Sequence, residues 1–301
     1  FAQVYDIARN TGAYLIEQLG VDRTPVAVFA GRKMVTPAYF LGVVYAGRPY
    51  APIDASLPDK RIEKILENLC PRAIVADRES LEHVESIVDE LAKSEGFDRP
   101  QIFIAEDISR FDQVAGADSN CKISESAGDA VTDSENDTDG GVVAGCAGKK
   151  DDSSLEKLAT VRRQMSMTDP LYIIYTSGST GNPKGVMTSH LSLMTYINAY
   201  CDVMHIEESD VLGNQSPLDY IAAIRDIYLP LKTGCSTAII PKEYFMEPNA
   251  LFDYMNDKKV SSVGWSVSAF TILTSLGAFE EVGLKSLRKI CFSGSVMPCR
   301  V

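Results

Sequence analysis

Apolar positions recur along the chain with two periods, and the two alternate. Short apolar runs at 25–30, 50–54 and 72–76 have the length and β-branched character of buried strands. Between and after them, at 35–45, 59–69 and 79–92, apolar residues fall at helical spacing. The alternation returns later, with strands predicted at 171–175, 237–241, 261–265 and 289–292 and helices near 191–204, 222–231, 250–257 and 268–277. Strands buried on both faces and interleaved with helices build parallel sheets, so the predicted class is α/β with mostly parallel, helix-covered sheets. In such folds ligands gather in the loops at the carboxyl ends of the strands.

Charge divides this pattern. Residues 112–152 hold ten acidic side chains against three lysines, a local net of −7 within a total of −12. The stretch has no aromatic residue and is rich in Gly, Ser, Ala and Asp, so it cannot bury enough apolar surface to offset its ordering entropy. The expected organisation is a first α/β subdomain at 1–111, an acidic disordered insertion at 112–155, and a second α/β subdomain at 156–301 that carries the chemistry. Loop length itself costs little, so deleting 112–152 should leave the melting temperature nearly unchanged; a large loss on a thermal melt would mean that the insertion packs.

Composition then removes several function classes. A pI near 4.8 without a basic stripe argues against nucleic-acid binding, which needs clustered Lys and Arg against phosphates. Apolar runs such as 26–30 and 171–175 fall far short of the roughly 18–20 residues that cross a bilayer, so no membrane span is expected. Seven cysteines, scattered and never in Cys-x-x-Cys spacing, read as reduced thiols of a cytoplasmic protein rather than a disulfide framework or a zinc site, and no metal site is expected. The opening Phe1-Ala2-Gln3-Val4 has no Met and no basic segment, and reads as a chain cut from something longer rather than a signal peptide.

One loop stands apart. The run from Leu171 to Val186, with Thr176-Ser177-Gly178-Ser179-Thr180-Gly181-Asn182-Pro183-Lys184-Gly185 inside it, takes a buried strand directly into three glycines, hydroxyl side chains and one lysine. Glycines let backbone N–H groups approach an anion, hydroxyls donate further hydrogen bonds, and the lysine adds a positive charge. This is how a loop holds phosphate. It is not a Walker A loop, because counting from Gly178 the sixth position is Pro183 and Lys184 is followed by Gly185. The first segment also lacks the Gly-x-Gly-x-x-Gly turn of a dinucleotide site.

The stretch resembles the phosphate-loop signature of the adenylate-forming enzymes, the AMP-binding superfamily of nonribosomal peptide synthetase adenylation domains, acyl-CoA ligases and luciferases, in its form [YT]-T-S-G-[ST]-T-G-x-P-K-G. Upstream, Ala46-Gly47-Arg48-Pro49-Tyr50-Ala51-Pro52-Ile53-Asp54, followed by Pro58-Asp59-Lys60-Arg61-Ile62, is similar to the element that marks the amino-acid-activating branch. The segment from Asn214 to Gly234 is similar, without gaps, to the acyl-pocket segment of D-alanine carrier-protein ligases.

The resemblance implies ATP-dependent formation of an acyl adenylate from a carboxylic acid, first of all an amino acid, with Mg2+ assisting and with transfer to a carrier protein's phosphopantetheine. It assigns Thr176, Ser177, Gly178, Ser179, Thr180, Gly181 and Lys184 to the phosphates, Thr176 and Lys184 among them as catalytic groups, and Gly294, Ser295 and Val296 to a turn bordering the adenine. It places Asp219, Tyr220, Ile221, Ala222, Arg225, Trp265, Cys291 and Ser293 around the acyl group. One departure matters. Amino-acid-activating members hold the substrate ammonium with an Asp where this chain has Ile221, and apolar surface cannot replace a carboxylate there. Asp219, two residues earlier, is the candidate substitute if the backbone is extended, and Arg225 could meet a second substrate carboxylate. His190 reads as structural, with no base–nucleophile pair nearby. The resemblance also implies that the chain ends before the family's Y-G-P-T-E element and the C-terminal domain with its catalytic lysine, so that alone it would not turn over. An acyl- or aryl-CoA ligase and a non-catalytic nucleotide-binding fragment are the alternatives.

Overall fold

The computed structural model describes residues 1–110, 152–177, 181–281 and 283–298. The chain opens with a helix that carries no strand signal, α1 (Ala2–Leu19), and then alternates: β1 (Val26–Phe29), α2 (Thr36–Tyr45), β2 (Tyr50–Pro52), α3 (Asp59–Leu69), β3 (Ala73–Ala76), α4 (Leu81–Leu91), β4 (Gln101–Ile104) and the single turn α5 (Ala105–Ile108). Beyond 151 come α6 (Asp152–Gln164), β5 (Pro170–Ser177), β6 (Pro183–Ser189), α7 (His190–Met204), β7 (Val211–Asn214), α8 (Ile221–Thr233) and β8 (Ser236–Ile239). A 3-10 turn (Lys242–Met246), α9 (Pro248–Asp257), β9 (Ser262–Ser266), α10 (Val267–Ser275), α11 (Ala278–Glu281) and β10 (Lys289–Ser293) complete it.

The strands form two sheets, one in the order β4-β3-β1-β2-β5-β6 and one in the order β10-β9-β7-β8. Every pairing is parallel except that of β5 with β6. The α/β class with mostly parallel sheets is what the alternating periods predict. The division of the chain differs from the expected one: β5 and β6, assigned with 156–301, complete the first sheet through the parallel contact of Tyr50 with Tyr172. A linear charge boundary cannot register a strand pairing that reaches across it. The acidic stretch up to Asp151 lies outside the described residues, and from Asp152 the backbone is helical.

Strand alternation sorts the cores. Val26 and Val28 of β1 join an inner cluster with Leu15 and Ile16 of α1, Leu193 and Ile197 of α7, and Ile224 of α8, and this cluster also takes Leu212 from the second sheet. Ala27 and Phe29 turn to the other face, against Ile62, Leu66, Val84 and Val88 of α3 and α4. On the far face of the second sheet, Val263 and Trp265 pack on Phe252 of α9 and Phe270 of α10. The result is layered, with each sheet covered by helices on both faces. Two polar contacts pin the layers. Tyr228 donates to the Tyr50 hydroxyl at 3.3 Å, joining α8 to the first sheet. Arg48, 1% exposed, binds Asp22, the Leu19 and Gly20 carbonyls and Thr24, so the arginine of the upstream motif locks the turn before β2 onto the end of α1.

Among the described residues no helix is long and apolar enough to cross a membrane.

Candidate active site

The β5–β6 hairpin sits at the carboxyl end of β5. Antiparallel pairing brings Thr176 opposite Lys184 and Ser177 opposite Pro183, which sets the two ends of the glycine- and hydroxyl-rich loop side by side. Thr176, Ser177, Gly181 and Lys184 are all exposed. Among the described residues the Thr176 hydroxyl makes one long contact, 3.5 Å to the Lys184 carbonyl, and Lys184 takes part in no ion pair, which leaves the hydroxyl and the ammonium available to an anion. Gly178, Ser179 and Thr180 lie outside the described residues. Pro183 at the start of β6 is tolerated because β6 is an edge strand, where a missing N–H breaks no interior ladder. Gly185 is needed for packing, since a Cβ there would come within 2.9 Å of Ile173 Cγ2 and 3.1 Å of Tyr175 Cζ.

Helix α3 braces the hairpin from the side. The Tyr175 hydroxyl donates to Asn68 Oδ1 at 2.8 Å, and Lys64 Nζ donates to Asn182 Oδ1 at 3.0 Å. Burial, helped by the nearby Cys70, pushes the Tyr175 phenol up to about 12, so it stays a neutral donor across the physiological range. Lys64 and Asn68 carried no sequence signal. They lie 118 and 107 residues from their partners, on a helix whose periodicity announces only a buried face.

A second group of predicted residues meets on the inner face of the second sheet. Arg225, 6% exposed, lies between the Tyr200 ring, 5.2 Å away, and the β9 backbone at Gly264. Its Nε and Nη2 donate to the two Asp226 oxygens at 2.7 and 3.1 Å, and Nη2 also reaches the Gly264 carbonyl at 2.7 Å. Burial works against this charge, but the Asp226 carboxylate outweighs it and the guanidinium is held above its ordinary value. Asp226 also accepts from Asn214 Nδ2 at 3.0 Å, and Asn214 in turn accepts from Arg32 Nη2 through its side chain at 2.7 Å. Arg32 Nη1 reaches the Ile240 carbonyl at 2.5 Å, so one polar chain runs from the loop after β1 to Arg225. Cys291 belongs to the same group, because register places it beside Gly264, and its charge and hydrogen bond to the Tyr200 phenol reinforce the rise that burial causes there.

Other predicted residues fall elsewhere. Trp265 follows Gly264 by one and so faces the opposite side of β9, in an aromatic core with Phe245 and Phe270, its indole N–H donating to the Gly213 carbonyl at 2.9 Å. Ser293 shares the strand face of Cys291 and is exposed, as are Gly294, Ser295 and Val296 just beyond β10, where Gly294 takes φ 97. Among the described residues no hydrogen bond joins 294–296 to the hairpin. Tyr220 and Ile221 stand exposed at the start of α8, and Ala222 is half-buried.

Asp219 does not sit on an extended backbone. A turn closed by the Tyr220 N–H on the Pro217 carbonyl redirects it into a cavity of about 450 Å3 between the two sheets, which Asp54, Arg32 and Lys242 also line. Burial first, and the charge of Asp54 second, hold its carboxyl above the usual range. It is therefore apart from Arg225 and Cys291. His190 heads α7 with its N–H on the Asp169 carbonyl, and burial lowers its imidazole.

A parallel α/β scaffold that offers an exposed hydroxyl-and-lysine hairpin at a strand's carboxyl end defines the class of nucleotide-binding α/β enzymes. The family description that matches residues 1–301 is that of the AMP-binding enzymes, and the chain belongs to that family. It is 24% identical over 302 residues to a D-alanine–D-alanyl carrier protein ligase of Bacillus licheniformis, covering 100% of this chain and 49% of that protein. To the ligase of the same description from Bacillus velezensis it is 27% identical over 280 residues, covering 93% and 45%. The chain thus spans about half the length of the curated relatives it matches. Its fold is similar to a four-domain nonribosomal peptide synthetase bound to AMP and glycine (TM-score 0.67, 19% identity, 97% of this chain and 17% of that one). It is also similar to a fatty acyl-adenylate ligase from L. pneumophila in complex with acyl adenylate and pyrophosphate (TM-score 0.67, 18% identity, 96% and 43%).

Proposed function

We propose that this chain is the nucleotide-binding part of a ligase that joins ATP and a carboxylic acid. A carboxylate oxygen attacks the α-phosphorus, the bond to pyrophosphate breaks, and an acyl adenylate remains. In the full-length protein the acyl group then passes to the phosphopantetheine thiol of a carrier protein. The observation that carries this reading is the open hairpin, with Thr176, Ser177 and Lys184 exposed side by side at the carboxyl end of a parallel sheet. Phosphate charge grows as the pyrophosphate leaves, so preorganised donors and a fixed cation aimed at it supply much of the catalysis. Thr176, Ser177, Gly178, Ser179, Thr180, Gly181 and Lys184 would hold the triphosphate, and Mg2+ arriving with ATP would neutralise part of its charge. Exposed hydroxyls suit such an ion, since it keeps several waters and binds mainly through phosphate oxygens.

An amino acid leads among the acids, supported by the carrier-protein ligases among the relatives. Ile221, exposed at the start of α8 with no acidic residue in its first turn, favours a second reading, an acyl- or aryl-CoA ligase. Exchange of labelled pyrophosphate into ATP by the full-length protein, run with panels of amino, hydroxy, aryl and fatty acids, tests both. We expect acid-dependent exchange with an amino acid. Exchange with aryl or fatty acids alone would move the protein to the CoA-ligase branch, and no exchange with any acid would overturn adenylate formation.

A further inference from the structure

We propose that Lys64 of α3 is a second cation for the phosphates, held beside the loop by Asn182 and serving the pyrophosphate end of ATP. This rests on the nucleotide reading above and adds to it a binding residue that lies outside the loop's own sequence.

Helix α3 grips the hairpin at two points one helical turn apart. Asn68 accepts from the Tyr175 hydroxyl at 2.8 Å on the β5 arm, and Lys64 donates to Asn182 at 3.0 Å on the side that enters β6. Residues four apart share a helix face, so both contacts come from one stripe of α3. The Tyr175 side chain crosses β6 at Gly185, where a Cβ would stand 3.3 Å from its hydroxyl. The hairpin therefore cannot carry its tip away from Lys64 without breaking these contacts.

The partner of Lys64 is a neutral amide, not a carboxylate. Lys64 is exposed, and among the described residues it makes no ion pair, Glu67 one turn further on included. Its charge is thus uncompensated, and Asn182, two residues before Lys184, brings it to the loop. Bracing alone would not need that charge, because any N–H donor would hold an amide oxygen. A triphosphate does need it. The chain carries a net charge of −12, so a polyanion is repelled by the protein as a whole unless cations gather where it lands. The α-phosphorus must stay open to the attacking carboxylate, so the cations flanking the loop belong to the β- and γ-phosphates, where charge grows as the pyrophosphate leaves.

The test is titration calorimetry of the full-length protein with ATP, inorganic pyrophosphate and AMP, each with Mg2+. Lys64→Ala should weaken ATP and pyrophosphate by about five- to ten-fold, between the worth of an exposed ion pair and that of a charge-assisted hydrogen bond, and leave AMP unchanged. Lys64→Gln keeps an N–H donor for Asn182 but no charge, so it should match the alanine variant, whereas Lys64→Arg should match the wild type. The side chain is exposed, so all three should melt with the wild type. A Lys64→Gln variant with wild-type ATP affinity would show a brace and overturn the proposal, as would equal losses for ATP and AMP or no loss for ATP in Lys64→Ala. In each of these cases a Lys184→Ala variant that still weakens ATP leaves the nucleotide reading standing. Wild-type ATP affinity in both Lys64→Ala and Lys184→Ala would overturn both.

Discussion

Replacing Lys184 by alanine should weaken ATP binding by roughly ten- to a hundred-fold, because a charge-assisted hydrogen bond contributes about 1.5–3 kcal/mol and each 1.4 kcal/mol is a factor of ten. The melting temperature should barely move. Lys184 lies on an edge strand, is exposed, and takes part in no ion pair among the described residues, so little native packing depends on its side chain. Titration calorimetry with ATP and a thermal melt on the same preparation check the two halves together. Unchanged affinity would mean that the hairpin does not hold the nucleotide. A collapse of Tm would mean that the lysine is structural and that the binding result says nothing about phosphate.

The loop between β5 and β6 stood out as a candidate because its signal is local: glycines, hydroxyls and a lysine within ten residues mark it wherever the chain folds. Class and sheet type were legible for a similar reason, since both periods repeat within single elements. What escaped depends on tertiary pairing. β6 reads as loop because of Pro183 and Gly185, and only its place at the sheet edge makes those residues acceptable there. β7, with the sequence Val-Leu-Gly-Asn, is too short and ambiguous for periodicity to choose a strand. On the acyl side, the resemblance placed Trp265 at the pocket, although a lone tryptophan reads as core on general grounds, and a two-residue spacing offered Asp219. A one-residue step along β9 sends the tryptophan to the opposite core, and the turn at Pro217 takes the aspartate into another cavity. The resemblance left Arg225 with an open role, because neither Asp226 at its side nor Gly264 beneath it signals a partner until the helix is laid on the sheet.

Asp210 should be the most sensitive position for stability, at the end of the second sheet opposite the loops at the carboxyl ends of its strands. Its carboxylate, fully buried, accepts from Ser261 Oγ at 2.6 Å, the Glu207 N–H at 2.9 Å, Arg288 Nη2 at 2.9 Å and Lys289 Nζ at 2.6 Å, and so ties together the starts of β7, β9 and β10. Burial alone would raise its pKa; the donors from Lys289, Ser261 and Glu207 outweigh it and bring the value down to about 2, against 3.8 for the free side chain. A depressed native value means that the unfolded chain binds the extra proton first. The stabilisation is therefore complete above about pH 4, amounts to about 2 kcal/mol there, and is lost as pH falls from 4 toward 2. Asp210→Ala should cost about 3 kcal/mol at neutral pH, the low end for breaking a buried pair, because Arg288 remains half exposed and can turn to water. Asp210→Asn should flatten the acid limb of stability against pH, which denaturant melts at pH 2.5, 3.5 and 5 would measure. An acid limb as steep as the wild type's would mean that other carboxylates carry it. Because ligands of a parallel sheet bind at the opposite ends of the strands, the folded fraction of either variant should keep its ATP affinity, the reverse of what Lys184→Ala does. That contrast separates the end of the second sheet that holds the fold together from the hairpin of the first sheet that is proposed to hold the nucleotide.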